Sequence, residues 1–165
     1  MKTILYLTLS ANGLITQADE AHTVPPEILG DFVQRIMGAG NVVIGRRTFE
    51  LMGAQMAQSA FSAIETVVVS RSPSQAQGVV FAASPREALE HLEREGFETA
   101  LVGGGAELDA SVLSEGLVDE IYLNLEPIVT SKGIALGAGD DHSDLHLDET
   151  VKLSDDIVQL RYKLR

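Results

Sequence analysis

The sequence of 165 residues has no cysteine, no tryptophan and only twelve basic residues. The lack of cysteine excludes disulfide frameworks, thiolate zinc sites and thiol catalysis. Because 24 acidic residues outnumber the basic ones, the formal net charge is −12, which argues against nucleic-acid and anionic-membrane partners. No apolar run approaches the 18 residues of a membrane span, and polar residues interrupt the apolar N-terminus. These absences predict a cytoplasmic globular protein.

Strand and helix patterns alternate along the first 116 residues. Short apolar, β-branched runs predict buried strands, and apolar stripes of helical spacing predict helices between them. This alternation favours a mainly parallel sheet covered on both faces. The strands are expected at 2–9, 41–45, 66–70, 78–81 and 99–102, and the helices at 26–37, 46–56, 85–96 and 106–115.

The C-terminal part of the chain lacks this alternation. Strand patterns occupy 119–126, 145–153 and 156–164, and no helical pattern separates the last two. These strands are therefore expected to pair antiparallel. Residues 14–24 are predicted as a loop. The predicted fold class is α/β, a three-layer α/β/α domain spanning residues 1–165, with a mainly parallel central sheet and antiparallel C-terminal strands.

Three consecutive glycines follow the predicted strand at 99–102. Backbone amides at a strand-to-helix turn, with no Cβ in the way, form an anion site that suits a diphosphate. The alternative is a tight turn of small residues. The pattern is not the dinucleotide fingerprint, because Leu108 stands at the place of its last glycine. The glycines are Gly103, Gly104 and Gly105.

Arginines and hydroxyl residues follow two other predicted strands. Guanidinium groups are strong donors to phosphate, and ligands of open α/β sheets bind at the carboxyl ends of the strands. Each of the basic residues alone is more often a solvated surface group than a ligand contact. Together with the glycines, they predict a site for an anionic cofactor. They are Gly45, Arg46, Arg47 and Thr48 after one strand, and Ser70 and Arg71 after the next.

These segments resemble a known family. Residues 43–50 (VIGRRTFE), 68–71 (VVSR) and 101–108 (LVGGGAEL) resemble the cofactor-binding segments of dihydrofolate reductases. Residues 10–15 and 116–136 are more similar to the C-terminal reductase domain of the bifunctional riboflavin-biosynthesis enzyme. The resemblance covers essentially the whole chain in order. It implies a dihydrofolate reductase-like fold and homodimers that pair through the C-terminal strands.

The resemblance also implies NADPH as the cofactor. The first arginine pair with Thr48 would meet the 2′-phosphate and the diphosphate, and Ser70 with Arg71 would surround the adenosine end. Clustered arginines favour NADPH over NADH, because a 2′-phosphate needs cations. The implied cofactor residues are Gly45, Arg46, Arg47, Thr48, Ser70, Arg71, Gly103, Gly104, Gly105, Ala106, Glu107 and Leu108.

The substrate side rests on fewer residues. Dihydrofolate reductases keep a carboxylate early in the first helix, where Glu27 is nearest by position and Asp31 follows a turn later. Glu27 equally suits the first turn of any helix. In the riboflavin-type reductases, a ribosylated diaminopyrimidinone phosphate binds near the opening loop and a later strand, so Asn12, Glu126 and Lys132 are the substrate candidates. The usual aspartate of that opening loop is Asn12 here.

An acidic stretch at 140–146 (DDHSDLH) carries oxygen and imidazole groups. It is compatible with a divalent metal or with a surface loop. No ligand spacing in it is convincing, so no metal is predicted. His22 and His91 are expected to be isolated loop and helix-surface residues.

The leading hypothesis is an NADPH-dependent reductase, related to the riboflavin-pathway reductase, that acts on a small pyrimidinone- or pteridine-like heterocycle. A true dihydrofolate reductase is the second hypothesis. The third is a non-catalytic nucleotide-binding or dimerisation module on the same fold.

Overall fold

The computed structural model describes residues 1–16, 23–56, 63–72, 75–136 and 143–165, with the backbone alone for 53–56. The strands are β1 (Lys2–Ser10), β2 (Leu14–Ile15), β3 (Asn41–Gly45), β4 (Glu65–Val69), β5 (Val79–Ala82), β6 (Thr99–Val102), β7 (Glu120–Glu126), β8 (Ile134–Ala135), β9 (Leu145–Lys152) and β10 (Val158–Leu164). The helices are α1 (Pro26–Ala39), α2 (Arg46–Met56), α3 (Pro85–Arg94) and α4 (Ala106–Ser114).

One sheet collects the strands in the order β5-β4-β3-β6-β1-β7-β10-β9. Neighbours from β5 to β7 pair in parallel, whereas β10 pairs antiparallel with both β7 and β9. Of these seven neighbour pairs, the five parallel ones require crossover connections, as alternating apolar strands and amphipathic helices predict. The predicted α/β class, with its mainly parallel sheet and antiparallel C-terminal strands, is confirmed.

Two apolar clusters lie on opposite faces of the sheet. Ile28, Phe32 and Ile36 of α1 pack on one face against Ile4, Tyr6 and Ile44. On the other face, α3 and α4 pack against the alternate residues of the same strands. The period of two along each strand divides the side chains between the faces. The result is the three-layer α/β/α arrangement, in which helices return the chain from the carboxyl end of one strand to the amino end of another.

The short strand β2 departs from the prediction of a loop at 14–24, and it pairs with another short strand, β8. Leu14–Ile15 folds back antiparallel on β1 and also pairs with β8, at Leu14 with Ala135 and Ile15 with Ile134. A strand of two residues has no measurable periodicity, so no pattern in the sequence marks it. Residues 17–22, in the remainder of that prediction, lie outside the described residues.

Side-chain hydrogen bonds define the start of α3. Ser84 caps α3, where its Oγ accepts a hydrogen bond from the Glu87 amide at 3.2 Å. The Glu87 carboxylate reaches back to the amide of Ala83, one residue before the position that a capping box uses.

Among the described residues, no helix is both long and apolar enough to cross a bilayer.

Asn41 joins β3 to β6 at the amino end of the sheet. Its side chain is fully buried, and its Nδ2 donates to the carbonyl oxygens of Ala39 at 2.9 Å and Thr99 at 2.7 Å. Its Oδ1 accepts from the amide of Leu101 at 3.2 Å. The two strands share a single register pair, Val43 with Val102, so these side-chain bonds replace missing rungs of the ladder.

We expect Asn41→Ala to lower the free energy of unfolding by about 2–4 kcal/mol, because it leaves buried backbone groups of β6 without partners. Urea denaturation followed by circular dichroism measures this loss. Gln34→Ala on the exposed face of α1 is the matched control, and we expect it to change stability by less than about 0.5 kcal/mol. Equal effects in both variants would contradict the role assigned to Asn41.

Candidate functional site

The carboxyl ends of five neighbouring parallel strands form one edge of the sheet. In spatial order they are β4, β3, β6, β1 and β7. The first three end in the predicted cofactor segments, and the last two end near the predicted substrate residues. Parallel pairing therefore gathers both groups along a single edge, which is where open α/β sheets bind ligands.

The glycine turn, residues 103–105, is joined by hydrogen bonds to the end of β3. The Gly103 amide donates to the Val43 carbonyl at 2.9 Å, and the Gly45 amide donates to the Gly104 carbonyl at 2.8 Å. The peptide bond between Gly104 and Gly105 is cis. The two glycine motifs, separated by almost sixty residues of sequence, are thus in direct contact.

Close approach explains why this turn consists of glycine. A Cβ on Gly103 would lie 2.5 Å from Cζ of Phe32, and one on Gly105 would lie 3.1 Å from Oγ1 of Thr48. Gly104 has a φ of 88°, in the left-handed region that glycine adopts without strain. Thr48 in α2 therefore lies beside the glycine turn, as the prediction of a shared cofactor site requires.

The amino end of α4 emerges directly from this turn. Gly105 is its N-cap residue and makes no side-chain cap bond, so Ala106, Glu107 and Leu108 present first-turn amides without a side-chain acceptor. Such amides, with the helix dipole behind them, favour an anion. Leu108 itself is buried in the core beneath, while the Glu107 side chain is exposed.

The predicted basic residues lie at the surface of the same edge. Arg46 and Arg47 are exposed at the first turn of α2, and Arg46 pairs with Glu50 at 2.9 Å. Arg71 is exposed just beyond β4, where the hydroxyl of Ser70 donates to the carbonyl of Ser72 at 3.0 Å. Because Glu50 partly neutralises Arg46, Arg47 and Arg71 supply most of the uncompensated positive charge of this group.

Asn12 links two loops by hydrogen bonds at the carboxyl ends of β1 and β7, where the predicted substrate residues lie. Its Nδ2 donates to the Thr130 carbonyl at 2.9 Å, and its Oδ1 accepts from the Thr130 amide at 3.1 Å and from the Ser10 hydroxyl at 2.9 Å. The Asn12 side chain is exposed, yet both ends of its amide are engaged. The structure therefore gives Asn12 a loop-bridging role; substrate contact stays a prediction.

Glu126 and Lys132 lie in very different environments. Glu126 ends β7 with a 1% exposed side chain and accepts a hydrogen bond from the Thr16 hydroxyl at 3.3 Å. Lys132 is exposed in the turn before β8. Gly133 follows it so closely packed that a Cβ would lie 2.8 Å from Cβ of Leu14. The buried Glu126 carboxylate and the β2–β8 pair thus enclose the region where the predicted substrate residues lie.

The two predicted catalytic carboxylates differ in the same way. Glu27 is exposed in the first turn of α1. The Asp31 side chain is 13% exposed and accepts from the Tyr6 hydroxyl at 3.0 Å, from Arg35 at 3.3 Å and from the Gln159 amide at 2.8 Å. Burial, reinforced by the Asp31 carboxylate, raises the pKa of Tyr6 well above its usual value. A catalytic role for either carboxylate stays a prediction.

This carboxylate belongs to a polar network that links α1 to the C-terminal strands. Gln159 of β10 donates to Asp31 and also to Oδ1 of Asn124 in β7, at 2.9 Å. Asn124 in turn donates to the Leu7 carbonyl of β1 at 2.9 Å. Gln159 and Asn124 are fully buried. Sequence reasoning missed the network, because one polar residue in an alternating strand does not reveal its partner.

Asp109 is a second residue that sequence reasoning missed. It lies in α4 with a 2% exposed side chain, and its Oδ1 has no hydrogen-bond partner within the described part of the chain. Burial raises the pKa of this carboxyl to about 7. Its position among Leu108 and Val112 could have suggested burial, although the helical pattern alone treats it as a surface acid.

The structure describes two of the four histidines and part of the acidic stretch. His91 is not isolated as expected, because its Nε2 lies 2.7 Å from Oε1 of Glu65 and joins α3 to β4. His22 and residues 140–142 lie outside the described residues. In the described ranges, no group of three histidine or acidic side chains is placed to hold a metal ion.

The chain matches one family model and shares its fold with solved structures. A family model described as the RibD C-terminal domain matches residues 2–159. YwjB of Bacillus subtilis strain 168, itself uncharacterized, is 28% identical over 145 residues, 82% of each chain. A Shewanella sp. PV-4 protein provisionally assigned to riboflavin biosynthesis has a similar structure, with 21% identity, a TM-score of 0.80 and coverage of 100% of this chain and 99% of that one. RibD of Acinetobacter baumannii has 18% identity, a TM-score of 0.79 and coverage of 99% and 58%.

We expect Asp109→Asn to stabilise the protein more at pH 8 than at pH 5. Folding raises the pKa of Asp109 from its usual value to about 7, so the native state loses stability as pH rises from about 4 to about 7. The gain from the asparagine should therefore grow by roughly 2–3 kcal/mol between the two pH values. Urea unfolding measures it, and a gain independent of pH would contradict a buried, ionisable Asp109.

Proposed function

The chain belongs to the family of the RibD C-terminal domain, and on this premise we propose that it is an NADPH-dependent reductase of the riboflavin-biosynthesis type. It would transfer a hydride to a pyrimidinone- or pteridine-like heterocycle, as a 5-amino-6-(5-phosphoribosylamino)uracil reductase does. One observation carries the proposal: the glycine turn, Thr48 and the amino end of α4 meet at the carboxyl edge of the sheet.

The residues at this edge fit an anionic dinucleotide. The turn has no Cβ on its accessible backbone, and the first-turn amides of α4 have no side-chain cap. Arg47 would meet the 2′-phosphate, with Arg46 and Thr48 beside the diphosphate and Arg71 at the adenosine end. Guanidinium groups supply the charge-assisted hydrogen bonds that a phosphate monoester needs. NADPH would supply a hydride, which carries both electrons of the reduction.

The chain's own residues would position and enclose the heterocycle. Asn12 holds the opening loop against residues 128–130, which fixes one wall of the substrate end. Glu126 would offer a buried carboxylate to donor groups of the ring, and Lys132 would offer a cation to a substrate phosphate. Orientation of this kind can supply most of the rate enhancement of a transfer reaction.

Two alternatives remain as outcomes of the test. A buried carboxylate at Glu27 would have favoured a true dihydrofolate reductase, but Glu27 is exposed. A non-catalytic module would bind nucleotide without turnover. A cytoplasmic location is part of the main proposal and follows from a biosynthetic role.

Calorimetric titration with NADPH and NADH, followed by absorbance at 340 nm with the pyrimidinone phosphate or dihydrofolate, tests the proposal. We expect NADPH to bind more tightly than NADH and the pyrimidinone phosphate to be reduced. Arg47→Ala should weaken NADPH binding about tenfold while changing NADH little, because it removes one charge-assisted contact to the 2′-phosphate.

Arg94→Ala is the matched control for this variant, since Arg94 is equally exposed but ends α3 at the opposite edge of the sheet. No NADPH binding at millimolar concentration would sink the cofactor assignment. Binding without turnover of either substrate would favour the non-catalytic module.

We also propose that the protein forms a homodimer through its C-terminal strands. β9 is the terminal strand of the sheet, and its Leu145 and Leu147 are 41% and 47% exposed. They pair with Leu164 and Tyr162 of β10, so all four share one sheet face. An exposed apolar strand at a sheet edge is a ready surface for association, and a second copy of this chain would cover it.

We expect the wild-type protein to have the mass of a dimer in size-exclusion chromatography with light scattering, and Leu147→Lys to shift it toward the monomer. The substitution puts a charge into the apolar face. His146→Lys adds a charge to the other face of the same strand and should leave the dimer intact. A monomeric wild-type protein would refute the proposed dimer.

A further inference from the structure

A buried acid outside the proposed reaction lies directly behind the glycine turn. The carboxylate oxygens of Asp109 are 3.6 and 3.7 Å from the position that a Cβ on Gly104 would occupy. The carboxylate therefore lies within van der Waals reach of the turn. The Asp109 side chain is 2% exposed, and its Oδ1 has no hydrogen-bond partner among the described residues. The turn that would hold a diphosphate therefore has an uncompensated acid at its back.

Other charged groups near α4 are turned to solvent or already paired. Glu107 is exposed in the same turn of α4. Arg86 of α3, the helix packed against α4, pairs with Glu115 at 3.8 Å. On the strand side, β3 and β6 contain no titratable residue. The α2 turn contributes Arg46, paired with Glu50, and the exposed Arg47.

On the α1 side of the turn, the nearby charged side chains are also paired with each other. Phe32 separates Gly103 from the charged residues of α1, where Asp31 and Arg35 pair with each other. Burial is accordingly the cause that raises the pKa of Asp109 to about 7. Both ionisation states are therefore populated near neutral pH.

We propose that the ionisation state of Asp109 sets the affinity of the glycine turn for an anionic cofactor. The neutral carboxyl admits the diphosphate, and the carboxylate repels it. The inference rests on the proposed function, because it requires a diphosphate at residues 103–106. It adds a residue that determines cofactor affinity and a pH range over which that affinity changes.

The direction of the effect follows from charge. A carboxylate with little water around it repels a nearby anion more strongly than a solvated one does. Binding of the anion must therefore favour the protonated carboxyl, and affinity must fall as pH rises through the neutral range. By the same linkage, the protein takes up a proton when it binds the diphosphate on the alkaline side of this range.

ADP-ribose is the suitable probe, because it carries the diphosphate without a 2′-phosphate that would itself titrate near pH 6. Calorimetry between about pH 6 and pH 8.5 should show that the wild-type dissociation constant rises about tenfold, as expected for one partly buried charge near the site. Asp109→Asn should bind with nearly constant affinity. Glu115→Gln, which removes an exposed acid from the C-cap of the same helix, should behave like the wild type.

A second measurement needs no variant. Titrations of the wild-type protein near pH 7.5 in two buffers of different ionisation enthalpy report the protons exchanged on binding. We expect net uptake of about half a proton, which is what a tenfold change in affinity implies at this pH. This readout keeps the inference testable even if Asp109→Asn fails to fold.

The outcomes are distinct. Identical pH dependence in wild type and Asp109→Asn, or binding without proton uptake, would overturn this inference and leave the proposed function intact. If the wild type binds neither ADP-ribose nor NADPH at any pH, both the proposed function and this inference are overturned. Falling wild-type affinity with a flat Asp109→Asn profile would support both.

Discussion

The junction between β3 and β6 is the constraint on which the rest of the structure depends. These strands share one register pair, and the junction is completed by Asn41 at one end and by the amides of Gly103 and Gly45 at the other. Because β6 lies between β3 and β1, this junction joins the half of the sheet that carries the predicted cofactor residues to the half that carries the predicted substrate residues. Any side chain at Gly103 would collide with the Phe32 ring of α1, which packs on this junction.

The sequence predicts most elements of this fold because their signals are local. The strand at 99–102 and the helix at 46–56 lie where periodicity and turn residues place them. The antiparallel tail follows from the lack of a crossover helix. The β2–β8 pair escapes prediction, because its two-residue strands depend on Gly133 approaching Leu14 across more than a hundred residues.

The same distinction applies to the site. Glycines after one strand and arginines after another predict an anion site from local sequence alone. Parallel pairing of these strands brings the two segments together. The environments of Asp109 and Asn12 could not be predicted from the sequence, because they depend on residues that are distant along the chain. The acid is buried by the packing of α4, and the amide of Asn12 is engaged by a distant loop. Residue type gives the available chemistry, whereas long-range packing decides which groups remain accessible.

The polar network under α1 also bears on how the chain is made. Asp31 and Gln159 are 128 residues apart, and Gln159 belongs to the last strand. During synthesis, α1 and β1 leave the ribosome long before β10 exists, so the Asp31 carboxylate lacks its Gln159 partner until β10 has been made. Closing so large a loop is slow relative to local helix formation. Docking of β10 is therefore the event that completes the polar network under α1.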